Sequence, residues 1–405
     1  VAADLSNLTT TSVTAAATAT DTTVNFVGSL GTAVVAITGG NGTDAADIFN
    51  VDGATMGTAT FTVAENNTLQ GTADKLTTVV ATGDGLTAVT ALQITPSADL
   101  SGLATTSVTA AATAQNATID FTGKLGTAVV AITGGNGDNN DIFSINNSAD
   151  VGTATFTVAA QNTLAGSALQ LDGHSASGDG LTAVSALHTT PSADLSNLTT
   201  TSVTAAFDGD ATFTGTIGTA VVTVGSGNTM TAAAVKVVTE TINKAGTGKL
   251  AVTLSAATDT AENLATINGD AINSVTVLDN LTFTGTLHGT VATTVADTVT
   301  LQTTAAIASG KTINEAADTN ATTAITALQD TLTADLDSIS TNSVTAAATA
   351  TDTTVNFEGK LGKAVVAITG GNGTDAADIF NVDSALDMGT ATFTVAENNT
   401  LQGTA

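Results

Sequence analysis

Asp4-Leu-Ser-Asn-Leu-Thr-Thr-Thr-Ser-Val-Thr14 returns as Asp99-Leu-Ser-Gly-Leu-Ala-Thr-Thr-Ser-Val-Thr109, and again as Asp194-Leu-Ser-Asn-Leu-Thr-Thr-Thr-Ser-Val-Thr204. Both steps are 95 residues, and Phe26, Gly39, Phe61, Leu86 and Pro96 recur at the same interval as Phe121, Gly134, Phe156, Leu181 and Pro191. A further copy opens at Asp335, and residues 335–405 follow residues 4–73 closely. Self-similarity at a fixed period is the signature of a repeat architecture. The chain therefore divides into copy one (1–98), copy two (99–193), a diverged and longer block (194–334) and a partial copy (335–405).

Working outward, the Ser-Val-Thr signature recurs at Val13, Val108, Val203, Val275 and Val344. Its four spacings are close to four, four, three and three multiples of about 23.5 residues, within the roughly 20 to 30 of a solenoid coil. Each signature leads to a Phe-x-Gly-x-(Leu/Ile) sequence, as at Phe26, Phe121, Phe213, Phe283 and Phe357. Strict alternation in Thr58-Ala-Thr-Phe-Thr-Val63 sends every second side chain to one face, the pattern of a half-buried strand. Gly and Asn clusters bound such runs, as in Thr38-Gly-Gly-Asn-Gly42 and Glu65-Asn-Asn-Thr68, and mark turns.

The expected fold is all-β: a parallel β-solenoid, or β-helix, with coils of roughly 23 to 24 residues. About 17 such coils, stacked roughly 4.8 Å apart, would form one continuous rod near 80 Å long. In it Val13, Phe26, Ile37, Phe49 and Phe61 point inward. The alternative is a string of immunoglobulin-like sandwiches of about 95 residues each. The diverged block favours coils: Asp194 to Asp335 is 141 residues, about three halves of a repeat, which whole coils can supply and a sandwich cannot easily absorb.

Composition agrees. Thr is about a fifth of the chain, and Trp, Tyr, Cys and Arg are absent, leaving 12 Phe as the only aromatic rings. A core without large aromatics must be thin and regular. With 42% hydrophobic and 11% charged residues, the chain lacks the polar, highly charged composition of disordered proteins. No apolar run approaches the roughly 20 residues of a membrane-spanning helix. A net charge of -28 would repel a phosphate backbone, which excludes nucleic acid as a partner.

The Phe213-Thr-Gly-Thr-Ile-Gly-Thr-Ala-Val-Val222 run and its four relatives resemble giant Thr/Gly/Ala-rich bacterial surface proteins, the β-strand-repeat and autotransporter-passenger-like adhesins. The resemblance spans most of the chain through motifs of low specificity. It implies a β-helical stalk outside the cell. A shorter resemblance joins Gly39-Gly-Asn41-Gly-Thr-Asp44-Ala-Ala-Asp47, Gly134-Gly-Asn136-Gly-Asp138-Asn-Asn-Asp141 and Gly370-Gly-Asn372-Gly-Thr-Asp375-Ala-Ala-Asp378 to the Gly-Gly-x-Gly-x-Asp turns of calcium-binding β-rolls. It implies Ca²⁺ held by Asn41, Asp44 and Asp47, by Asn136, Asp138 and Asp141, and by Asn372, Asp375 and Asp378. Unlike a β-roll, the chain carries these turns singly, so the alternative is that Asp and Asn cap local backbone groups.

Catalysis is not expected, since residues repeated along a solenoid build equivalent surfaces and not one unique pocket. His174, His188 and His288 fall at unrelated repeat positions and read as solvent-facing. The functional expectation is a structural, extracellular protein of the cell surface, forming a fibre, filament or surface layer by end-to-end or lateral self-association. The alternative is the stalk of an adhesin that meets a host or neighbouring cell through regions outside this segment. The repeat begins abruptly at Val1 and breaks off at Ala405, as expected of an excerpt from a longer polypeptide.

Overall fold

The structure is a computed structural model that describes residues 2–8, 13–18, 22–39, 47–115, 117–134, 141–316, 320–371, 378–385 and 387–404. The chain forms two compact units, residues 1–206 with 216–220, and residues 207–215 with 221–405. Each is a parallel β-solenoid, and helix among the described residues is limited to single turns such as Ala73–Leu76. Every strand pairing among the described residues is parallel. Sandwiches are built of antiparallel sheets, so that alternative is ruled out.

Coils are shorter than the sequence period suggests. The typical coil is about 21 residues. In the first unit Thr14 pairs with Val34, Val34 with Thr60 and Thr60 with Val80, so that one long coil stands between two short ones. The second copy repeats the alternation, since Thr109 pairs with Val129 across a short coil and Val129 with Thr155 across a long one. Each long coil is the one that carries a Gly-Gly-Asn-Gly segment, following Thr38 or Thr133. The extra residues lengthen the interval between hydrogen-bonded neighbours, and self-comparison of the sequence averages them into the period.

Equivalent residues of successive copies do not occupy the same column of strands. Thr14–Thr18 opens one column. Its counterpart Thr109 stacks over Ala88, Gln70, Asn50 and Asn25, in the column opened by Thr23–Asn25. Thr204, the third counterpart, stacks over Ala183, Ala165, Ser144 and Asp120, in the column opened by Thr118–Phe121. Each repeat is thus displaced by one column. The displacement runs through long strands such as Val80–Thr90, which joins two columns and shifts register between Gly83 and Leu86. Gly83 sits at φ 113°, and a Cβ there would lie 2.3 Å from the Val63 carbonyl oxygen. Only glycine fits that bend.

In the second unit one column runs from Ala211–Phe213 to Ile313–Glu315 and another from Leu281–Thr282 to Thr392–Val395, followed by Thr354–Asn356, Ile379–Asn381 and Thr400–Gln402. Alternation fills both interiors. Val13, Phe26, Ile37, Phe49 and Phe61 are all buried, as the pattern required. Phenyl rings stack from coil to coil at centroid distances of 6.0 Å for Phe26–Phe49, 5.7 Å for Phe121–Phe143 and 5.9 Å for Phe357–Phe380. A ring in such a ladder touches its neighbour as well as the aliphatic wall, which explains how 12 Phe suffice.

Candidate functional site

The Gly-Gly-Asn-Gly turns are the first candidate. Asn41, Asp44, Asn136, Asp138, Asn372 and Asp375 lie outside the described residues. Asp47, Asp141 and Asp378, the last acid of each turn, are buried, and each directly precedes or opens a strand. One oxygen of the Asp378 carboxylate is used on backbone, Oδ1 accepting the Asp352 N–H at 2.6 Å, while Oδ2 is buried without a hydrogen bond among the described residues. The Asp378 carbonyl accepts the Thr400 N–H at 2.8 Å, as that of Asp47 accepts the Thr68 N–H at 2.8 Å. Among the described residues no three His, Asp or Glu side chains gather in a way that could hold a metal ion.

At the last of these segments an asparagine missed in the sequence reaches back to Gly371 from the next coil. Asn399 donates from Nδ2 to the carbonyls of Ala396 and Glu397, and its Oδ1 accepts the Gly371 N–H at 3.1 Å. Asn67 and Asn162 make the same pair of donations. The signal was present, because Asn67 and Asn162 are one full repeat apart, but Asn in a Glu-Asn-Asn-Thr cluster reads as an ordinary turn residue.

Charge is the second candidate. Lys124 bridges to Asp99 at 2.9 Å and Lys360 to Asp335 at 3.2 Å, both at an exposed corner. A hydrogen bond from Ser101, then the Lys124 ammonium, holds the Asp99 carboxyl below its usual range. Ser6 does the same for Asp4. These pairs tie corners of adjacent coils, and exposed pairs of this kind contribute little to stability.

The strand faces are the opposite. Thr300–Thr304, Thr322–Thr326, Ser343–Thr349, Val365–Thr369 and Thr392–Val395 are successive neighbours in one sheet, and none contains Asp, Glu or Lys. Their outward positions are Thr, Ala, Ser, Gln and Val, with Val365 42% exposed. In the first unit Thr14–Thr18, Val34–Thr38 and Thr60–Val63 form the same kind of face. Asp52, Glu65, Asp84, Asp99, Asp150 and Asp179 stand instead at corners and kinks, while Asp120, Lys244 and Lys249 lie in strands of other faces.

The three histidines are not the solvent-facing residues expected. His288 is buried, and its Nδ1 accepts the Thr290 and Val291 N–H groups at 3.3 and 3.1 Å. His174 and His188 are half-buried, and Nδ1 of His174 bonds the Ala154 carbonyl at 3.0 Å. One open groove, along the corner between Ala54 and Val80, is lined chiefly by Thr and backbone around Asp74 and Lys75. Among the described residues no helix is long and apolar enough to cross a membrane.

No family model, no curated protein and no solved structure matches this chain.

Proposed function

We propose that the chain is a structural protein of the cell exterior, whose coils supply length and whose uncharged strand faces associate laterally into a fibre, filament or surface layer. The observation that carries this reading is the set of adjacent strands without charge, Thr300–Thr304 to Thr392–Val395 in the second unit and Thr14–Thr18 to Thr60–Val63 in the first. A chain with a net charge of -28 repels its copies wherever carboxylates must approach one another. A face of Thr, Ala and Val removes that obstacle, since its hydroxyls retain partners on either side and its methyl groups are released from water. Repetition then places equivalent faces along the molecule, so that weak contacts add. No catalytic role is proposed.

Electron microscopy at low and at high salt tests this reading. Salt screens corner carboxylates within a Debye length of about 8 Å at physiological ionic strength, so ordered lateral assemblies are expected to appear as salt rises. Single particles at every salt concentration would favour the adhesin-stalk reading.

A further inference from the structure

Five coils carry the Phe-x-Gly-x-(Leu/Ile) sequence, and four of them continue in one way. Leu30-Gly31-Thr-Ala33, Leu125-Gly126-Thr-Ala128, Ile217-Gly218-Thr-Ala220 and Leu361-Gly362-Lys-Ala364 each place glycine in the left-handed region, at φ 60°, 62°, 66° and 59°. Each turn is closed by the alanine N–H donating to the carbonyl of the Leu or Ile, at 3.1, 3.2, 3.4 and 3.1 Å. The fifth coil reads Leu287-His288-Gly289-Thr290-Val291, with histidine in the glycine's place. There the imidazole supplies the acceptor that a backbone carbonyl supplies in the other four, as Nδ1 receives both the Thr290 and the Val291 N–H. The ring is buried over Gly269 of the coil below, where a Cβ would lie 3.7 Å from its Cε1.

We infer that His288 is an acid-sensitive latch, which holds the Leu287–Val291 corner closed at neutral pH and releases it when the imidazole takes up a proton. The geometry imposes the switch. An Nδ1 that accepts two N–H groups carries its lone pair toward them. A proton from solvent on that nitrogen turns the acceptor into a donor, sets N–H against N–H and leaves two backbone donors unsatisfied. A carbonyl acceptor has no such response in this pH range, so the four sister corners do not share it.

The surroundings act in the same direction. Burial opposes the charged ring and lowers its pKa below the ordinary 6.5, a hydrogen bond with the Ile267 backbone acts against this, and the Lys311 ammonium lowers it further. Glu262 and Asp270 lie on the coil below and Glu315 with Lys311 on the coil above; of these charges, Lys311 is the one acting on the ring. The folded pKa is depressed, so the latch contributes its stability above the unfolded value. That stability is lost as pH falls through the folded one.

Amide hydrogen exchange resolved by NMR tests the latch on the whole chain. Protection of Thr290 and Val291 would be compared at about pH 7.5 and about pH 5, after correction for the intrinsic pH dependence of exchange, with the Ala128 amide as internal control. Protection of the two amides is expected to fall about tenfold on acidification while Ala128 is unchanged. His288→Asn retains a side-chain acceptor that cannot titrate, and His288→Gly restores the turn of the other coils. Both are expected to remove the difference. Unchanged protection in the native chain, or an equal fall in Ala128 or in His288→Asn, would overturn the proposal. The native chain with its internal control decides the matter even where a variant fails to fold.

Discussion

A buried phenyl ring in this molecule sits between like rings above or below and aliphatic side chains across a thin interior. Phe143 is fully buried and stacks on Phe121 at 5.7 Å. Phe143→Ala should therefore cost about 3–5 kcal/mol, since the thin wall cannot collapse into the void. Urea unfolding would measure it; a loss below about 1 kcal/mol would mean that the coil readily repacks. Inward and outward residues were legible in the sequence, because strand alternation has a period of two and Phe or Ile marks the buried side. The role of His288 was not. One histidine in an imperfect copy looks like surface drift until its ring nitrogen is found in the position of a carbonyl. Comparing Leu287-His-Gly-Thr with Leu30-Gly-Thr-Ala was the available clue.

Between residue and coil, three pairs of threonine hydroxyls are buried between adjacent coils. Thr182 and Thr200 meet at 2.8 Å, Thr87 and Thr105 at 2.9 Å, and Thr323 and Thr341 at 2.9 Å. Thr200 donates to the Ser202 carbonyl at 3.2 Å, so Thr182 is the donor between the two hydroxyls. Thr200→Val leaves the Thr182 hydroxyl buried and unpaired, and should cost about 1–3 kcal/mol. Adding Thr182→Val removes the orphan, so the double variant should be more stable than Thr200→Val alone. Additive losses in urea unfolding would contradict this account of the pair. The Gly-Gly-Asn-Gly turns belong to the same scale. With Asp378 committed to a backbone N–H, excess chelator is expected to leave the melting temperature unchanged. A drop of several degrees would instead assign calcium to these turns.

Element type and parallel stacking were legible because Thr, Val and Gly at a fixed repeat leave few alternatives. Coil length and column were not. The repeat measures the interval between like residues, whereas the coil measures the interval between hydrogen-bonded neighbours. Extra residues after Thr38 and Thr133 lengthen single coils, and the displacement that sets Thr109 above Asn25 in place of Thr14 leaves no mark in the period.

Lateral association of whole chains depends on where charge is absent. The chain has a net charge of -28, while five adjacent strands from Thr300–Thr304 to Thr392–Val395 carry no charged residue. Thr345 stands at the middle of that sheet, exposed, with Ala324 and Val365 as its register partners. Sedimentation velocity across a sodium chloride series, with the native chain beside Thr345→Asp, tests the claim most directly. The native chain is predicted to form larger species as salt rises. Thr345→Asp, folded by its circular dichroism, is predicted to stay at the size of a single chain under the same conditions. Equal association of the two, or a native chain that remains monomeric throughout, would contradict the account.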